Sequence, residues 1–390
     1  MTSSAVPASS ASANAAAHAS GSASGNDTAS ASATASVKAS AADSAAVGAS
    51  APAGSEPVLQ VDGLRTEFTV RSRGLRHTLR AVDGVDLVLR PGETLAVVGE
   101  SGSGKSTLAR SILRLVEPAA GRVTVAGRPL SSFRDRREVY RDVQMVFQDP
   151  RSSLDPRQKI RSILDEPLRL HLRMPAPRRE ARIRELLASV ELSEDLLDRL
   201  PAALSGGQRQ RIGIARALAV QPRAVILDEP TASLDASTRG VVLDLLARLQ
   251  RETGIAYLLI SHDLQAVRRI AHRVQVMYVG RVVESGTTEE VLRRPAHPYT
   301  RALLDAAPVA AYGGHTRAIR LSGENPGPFD LSAGCALAPR CPLAEESCTA
   351  GRPPQLSFGG THDAACPITH RQVSADLSAA RRERQDSDDQ

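Results

Sequence analysis

The 390-residue chain has no tryptophan, five phenylalanines and five tyrosines, and only three of its 49 basic side chains are lysines. No apolar run approaches the roughly 18 residues a membrane span needs, and residues 255–260 are typical of the longest, which excludes an integral membrane protein. The first 50 residues contain no Leu, Ile, Phe, Tyr or Trp, and 33 of them are Ala or Ser. Such a segment cannot bury enough surface to offset its ordering entropy, so residues 1–56 are expected to form a disordered tail. Its only basic side chain is Lys38 and it has no apolar h-region, so it does not read as a secretory signal. Asp27, Lys38, Asp43 and Glu56 give the tail a charge of −2, so the remainder carries +8 and the whole chain +6. Neither aromatic interleaving nor a dense basic block accompanies that excess, and it reads as a solvated arginine-rich surface rather than a nucleic-acid site.

Length suggests two or three domains. From Val58 onward, short apolar runs alternate with Gly, Asp and Pro. Residues 58–61, 85–89 and 94–98 read as strands, and residues 106–116 have helical spacing, with Leu108, Ile112 and Leu115 on one face. Further buried strands are expected at 224–227 and 255–260. Between them, residues 157–200 show helical periodicity through Ile183, Leu186, Leu187 and Val190. The expected fold class is α/β, a core with a mainly parallel sheet and an inserted helical subdomain at about 150–220. A loop-rich, cysteine-containing extension (306–372) and a charged tail (373–390) follow.

Gly99-Glu-Ser-Gly-Ser-Gly-Lys-Ser106 fits the G-x(4)-G-K-[ST] pattern between a strand and a helix. Backbone N–H groups can cradle phosphate oxygens only where the residues tolerate unusual dihedrals, hence Gly99, Gly102 and Gly104 with the small Ser101 and Ser103 between them. The helix N-terminus adds unpaired donors. Lys105 is expected on the β- and γ-phosphates, Ser106 on Mg²⁺ and Thr107 on the α-phosphate. A chain that otherwise uses Arg places a compact ammonium here, which argues against an ordinary flexible loop.

The run Ala-Val-Ile-Leu-Asp228-Glu229 sets two carboxylates at the end of a buried strand, where parallel sheets bind ligands. Asp228 is expected to hold Mg²⁺, and Glu229 to accept a proton from attacking water. A second glycine turn, Ser205-Gly206-Gly207-Gln208, opens another helix. It fits either an anion site or a plain helix cap.

In this order, the motifs resemble those of ATP-binding cassette (ABC) transporter ATPase subunits over residues 57–305. Leu204 to Gln208 resembles the family signature, residues 225–230 Walker B, Gln148 the Q-loop, Asp235 the D-loop and His262 the switch histidine. Phe68 falls where the family places an aromatic that stacks on adenine. The resemblance implies that Gln148 senses the Mg²⁺ and water site, that His262 contacts the γ-phosphate, and that ATP is sandwiched between Lys105 of one cassette and the Ser205–Gly207 turn of another. Residues 145–156 and 294–303, together with Leu-Ser-Gly-Gly-Gln-Arg-Gln-Arg211, further resemble the second ATPase subunit of oligopeptide/dipeptide importers. That resemblance implies two permease subunits, a partner ATPase, an extracytoplasmic substrate-binding protein and a peripheral position on the cytoplasmic face of the membrane. Nucleic acid is not among the implied partners. An exporter cassette and a soluble nucleic-acid-associated ABC protein are the rival readings. The extension and the absence of a fused membrane domain argue against the first. The single cassette without long coiled coils argues against the second.

All four cysteines, Cys335, Cys341, Cys348 and Cys366, lie in the extension at spacing C-x5-C-x6-C-x17-C. Four thiolates suit Zn²⁺ or an iron–sulfur cluster, and unliganded thiols are the remaining reading. The spacing lacks a zinc-ribbon C-x2-C pair. The resemblance implies a [4Fe–4S] cluster, which some relatives hold in this segment.

Overall fold

The computed structural model describes residues 55–72, 75–149, 153–306, 319–323 and 333–388. The Ala/Ser-rich segment up to residue 54, residues 150–152 after the Q-loop and the opening of the extension at 307–318 lie outside the described residues. All that is described falls within one unit, Val47–Gln390.

Strands β1 (Leu59–Ser72) and β2 (Leu75–Leu89) pair antiparallel, and so extend well beyond the short apolar runs expected at 58–61 and 85–89. Their polar middles are poor strand signals alone; the cross-strand ladder carries them. Strand β3 (Thr94–Val98), wholly buried, leaves this sheet for a second one and runs through the glycine loop into α1 (Lys105–Ile112). The helix ends at Ile112, four residues before the sequence spacing suggested, because Arg114 turns to positive φ. Strands β4 (Ala120–Val125) and β5 (Arg128–Pro129) complete a four-stranded antiparallel sheet in the order β2-β1-β4-β5, which periodicity did not anticipate.

The second sheet takes in α2 (Arg136–Asp142) with β6 (Val143–Val146), then a helical block. Helices α3 (Ile160–Leu172), α4 (Ala176–Ser189) and α5 (Gly206–Leu218) form that block. There follow β7 (Ala224–Asp228), α6 (Ala236–Thr253), β8 (Ala256–Ser261), α7 (Leu264–Ile270), β9 (Arg273–Tyr278) and β10 (Arg281–Thr287). Helices α8 (Thr288–Arg293) and α9 (Pro298–Asp305) lead out of the core. The extension contributes α10 (Ser347–Ala350), β11 (Leu356–Ser357), β12 (Asp363–Ala364) and α11 (Pro367–Asp388), a helix that runs across residues 372 and 373.

The eight-stranded order is β11-β12-β10-β9-β3-β8-β7-β6, parallel from β9 to β6 and antiparallel beyond. Helices on both faces explain why the central strands are continuous apolar runs. Alternate residues serve different cores. Ala96, Val98, Val225 and Leu227 pack with Ile163, Leu187 and Ile212 of the helical block. Leu95, Val97, Ala224 and Ile226 pack with α1 and the antiparallel sheet. Register aligns the strand ends: Val98 lies opposite Ser261, Asp228 opposite Ile260, and Val146 opposite Leu227. Gly99, Gln148, Glu229 and His262 therefore all leave the sheet at its carboxyl edge.

Candidate active site

At that edge the loop after β3 wraps around a lysine. Gly99 and Gly104 adopt φ of +154° and +101°. A Cβ at Gly99 would stand 2.1 Å from the Met277 carbonyl oxygen, and one at Gly104 the same distance from that of Ala81. Only glycine fits either place. Ser101 and Gly102 are exposed at the loop's crest while Ser103 is buried beneath it. Lys105 is 5% exposed, and its Nζ donates to the carbonyls of Gly99 and Glu100, each at 2.8 Å, and to Ser103 Oγ at 3.3 Å. Burial lowers its pKa, opposed by the charges of Glu229, Asp228 and Glu100. The ammonium is thus held inside the loop by acceptors that a phosphate oxygen could replace.

Next along α1, Ser106 Oγ donates to Asp228 Oδ1 at 2.9 Å. Asp228 is buried, and burial raises its pKa despite the hydrogen bond from Ser106. Two hard oxygen donors side by side, one of them a carboxylate poorly solvated on its own, suit Mg²⁺. Thr107 lies half-buried one residue further along α1.

Glu229 takes φ +47°, a left-handed conformation unusual for an L-residue. The turn aims its carboxylate away from Asp228. Gln148 Nε2 donates to one oxygen at 2.7 Å and His262 Nδ1 meets the other at 3.0 Å. Since a carboxylate only accepts, the proton of that contact sits on Nδ1. Three residues far apart in sequence thus form one polar cluster beside the Ser106–Asp228 pair.

The second glycine turn begins α5 with a capping box. Ser205 Oγ accepts from the Gln208 amide at 3.2 Å, and Gln208 Oε1 accepts from the Ser205 amide at 2.9 Å. Gly206 and Gly207 stand first in the helix, where amides have no carbonyl four residues back. A Cβ on Gly207 would come within 2.5 Å of Thr238 Cγ2 in α6. Asp235 caps α6 through the Thr238 amide at 3.0 Å and also accepts from Ser237 Oγ, which holds its carboxyl well below the usual carboxylate range. Phe68 is 36% exposed on β1 and pairs with Leu79, two residues from Ala81, whose carbonyl abuts Gly104.

The profile of the ABC transporter family matches residues 82–232, and that of the oligopeptide/dipeptide transporter C-terminal region matches residues 283–348. The oligopeptide transport ATP-binding protein OppF of Escherichia coli is 43% identical over 324 residues, covering 80% of this chain and 96% of its own. The oligopeptide transport ATP-binding protein AppF of Bacillus subtilis is 41% identical, covering 81% and 98%. The chain belongs to the ATP-binding subunits of ABC transporters, in their oligopeptide/dipeptide branch. Its fold resembles the dimeric ATP-binding cassette MJ0796 bound to ADP and Pi, with a TM-score of 0.53, 29% identity, and coverage of 59% of this chain and 98% of that one. The subunit is an ABC ATPase; such cassettes use ATP with Mg²⁺, and among its described residues no helix is long and apolar enough to cross a membrane.

In this ATPase subunit the four cysteines line one apolar cavity of about 410 Å³, also bounded by Leu337 and Ile368. None is in a disulfide. Burial pushes the Cys341 thiol up to about 11 and raises that of Cys335, and the neighbouring sulfurs act in the same direction. Cys366 Sγ lies 3.2 Å from Thr369 Oγ1. Four sulfurs around one cavity have the chemistry a metal centre needs. Their geometry falls short of one: among the described residues no three His, Cys, Asp or Glu side chains are placed to hold a metal ion.

Two side chains to which the sequence pattern gave no role also touch the ATPase loop. Tyr299 Oη accepts from the Glu100 amide at 2.8 Å, and Arg340 Nη1 lies 3.7 Å from Glu100 Oε2. Tyr299 stands inside the segment 294–303 that carries the importer resemblance, and that placement, in a chain with only five tyrosines, was the available signal. Nothing local marks Arg340 among so many arginines.

Proposed function

We propose that this subunit powers import of peptides through separate permeases by ATP-driven closure of a cassette dimer. The reading rests on one observation: the phosphate loop, the Ser106–Asp228 pair and the Gln148–Glu229–His262 cluster share the carboxyl edge of one sheet. In this assignment Lys105 leaves the loop carbonyls for the β- and γ-phosphates. Ser106 and Asp228, with Gln148 nearby, hold Mg²⁺, which when bound offsets phosphate charge. Thr107 and the loop amides bind the α- and β-phosphates, and Phe68 stacks on the base. Glu229 accepts the proton of the attacking water, while Gln148 and His262 orient its carboxylate and register the γ-phosphate. The Gly206 and Gly207 amides, fixed by the Ser205–Gln208 box, and the nearby Asp235 face the nucleotide of the opposite cassette.

The division of labour follows: residues 57–305 hydrolyse ATP, the helical block at about 150–220 carries the signature turn, and residues 306–372 form the importer-type extension. Partners are two permeases, a second ATPase subunit, identical or related, and an extracytoplasmic binding protein, with this chain peripheral on the cytoplasmic face. The names of the relatives support a peptide cargo. A [4Fe–4S] cluster on the four cysteines is supported by their shared cavity alone, and no step of hydrolysis runs through it. Anaerobic preparation should show visible absorbance, iron and labile sulfide; their absence discards the cluster.

The deciding experiment uses Glu229→Gln with MgATP. Turnover should fall by roughly 10²–10⁴ while the nucleotide traps a dimer, seen by light scattering, with or without the permeases. Unimpaired steady-state hydrolysis would reject Glu229 as the base, and a permanently monomeric chain would reject closure.

A further inference from the structure

The phosphate loop is braced by residues C-terminal to the matched segment 82–232. Tyr299 Oη, on α9, takes the Glu100 amide, and the carbonyl of the same residue, with that of Gly99, holds Lys105 Nζ. Tyr299 is fully buried and its ring lies 4.5 Å from that of Tyr278, also fully buried. Arg340 comes from the extension, one residue before Cys341. Its Nη1 donates to Tyr278 Oη at 3.3 Å and sits 3.7 Å from the Glu100 carboxylate, with its side chain only 12% exposed. Arg340 Nε is buried and has no hydrogen-bond partner. A guanidinium that leaves one donor unsatisfied is poorly explained as a packing device. Its reach to Glu100 and Tyr278 supplies the reason for its burial. Both residues lie within 283–348, the oligopeptide/dipeptide C-terminal region, and outside the matched cassette.

We propose that Tyr299 and Arg340 are positioning residues for the phosphate loop, acting on Lys105 through Glu100, so that the C-terminal region sets nucleotide affinity. The inference rests on the assignment of Lys105 to ATP phosphates. Physically, the brace fixes the peptide whose carbonyl parks the ammonium. Without it the loop must be ordered by the ligand itself, at the expense of affinity. The chemical step at Glu229 is untouched.

The test measures MgATP affinity by calorimetry, and KM and kcat for ATP, on full-length chains carrying Tyr299→Phe, Arg340→Gln, Arg340→Lys or Lys105→Ala. Tyr299→Phe keeps the ring and leaves one amide without its acceptor. It should weaken affinity about 5–30-fold, and raise KM by a similar factor, with kcat within about twofold. Arg340→Gln should weaken affinity less, about 3–10-fold, and Arg340→Lys should restore most of it through the retained charge. Parental affinity in both Tyr299→Phe and Arg340→Gln, with only a lower unfolding temperature, overturns the brace and leaves the phosphate-loop assignment standing. Parental affinity in Lys105→Ala overturns that assignment itself. Should Tyr299→Phe fail to fold, Glu100→Gln at a side chain 37% exposed carries the test. A loss of about 2–5-fold that Arg340→Gln does not deepen supports the brace, and parental affinity overturns it.

Discussion

At φ +47° the backbone of Glu229 costs roughly 1–2 kcal/mol for an L-residue, and the surrounding contacts hold it there. Its amide donates to the Ile260 carbonyl at 2.9 Å, and both carboxylate oxygens have partners. The torsion splits two adjacent carboxylates between two tasks, Asp228 toward Ser106 and Glu229 toward Gln148 and His262. His262→Ala would free one Glu229 oxygen without touching the phosphate loop. Hydrolysis should fall by about 10–10³-fold with ATP affinity within about threefold of the parent; a matching loss of affinity would place His262 in ground-state binding instead. Gly104→Ala tests the loop. The new Cβ would meet the Ala81 carbonyl at 2.1 Å, and backbone cannot move aside as a flexible side chain can. ATP affinity should drop at least about tenfold, more than about 1.4 kcal/mol, and a calorimetric titration indistinguishable from the parent would refute the fit.

Among elements, the turn that opens α5 has one job on view and a second proposed for it. Its capping box satisfies the helix start, which alone would make Ser205 an ordinary cap. Ser205→Ala should cost about 1 kcal/mol in a urea titration. If the turn also faces a second cassette, MgATP-driven dimerisation should weaken at least about tenfold as well. Stability loss without that second effect would reduce Ser205 to its cap. Helix α9 is capped by His297, 1% exposed, whose Nδ1 accepts from the Tyr299 amide at 3.2 Å. Burial lowers its pKa to about 4, against the opposing charge of Glu284 and helped by Arg301. The folded chain therefore keeps His297 neutral where an unfolded one takes up a proton near pH 6.5. Its contribution is fully present above about pH 6.5 and is lost as pH falls toward about 4, up to about 3 kcal/mol. Stability measured across that window should decline, and His297→Asn, which can still cap, should flatten the decline. An unchanged slope would show that other groups cause it.

On the scale of the whole molecule, a buried carboxylate joins the extension to the core. Glu284 in β10 accepts from the amides of Ala296 and His297, each at 2.8 Å, and meets His362 Nε2 at 2.7 Å, while β12 pairs alongside. Glu284→Gln would place an amide donor against donors. It should lower unfolding free energy by about 2–4 kcal/mol. Since β10 lies next to β9, whose end carries Tyr278, the phosphate loop should also lose affinity. A stability change with unaltered nucleotide binding would confine Glu284 to the extension.

The proposed catalytic set could be singled out in the sequence because its chemistry restricts residue types. A phosphate cradle demands glycines and a lysine at fixed spacing. Two adjacent carboxylates at the end of a buried strand are costly to desolvate unless a cation or donated hydrogen bonds meet them, so Asp-Glu in that place points to a site. Gln148 and His262 were legible only through the order of the surrounding motifs, since each alone is an ordinary polar residue. The antiparallel sheet was missed because β1 and β2 carry Arg, Thr and Glu where a half-buried ladder tolerates them. The four cysteines were legible as a group and not as a geometry. Sequence by itself determined the glycine-rich phosphate-loop motif, the helical insertion and the aliphatic strands, all of which depend on local pattern. Tertiary structure decided which carboxylate meets which partner, and that a tyrosine of α9 and an arginine of the extension press on the phosphate loop. Those contacts join residues up to about 240 positions apart; parallel register brings the strand ends after Val98, Asp228 and Ser261 to one edge, and the packing of α9 and the extension brings in Tyr299 and Arg340.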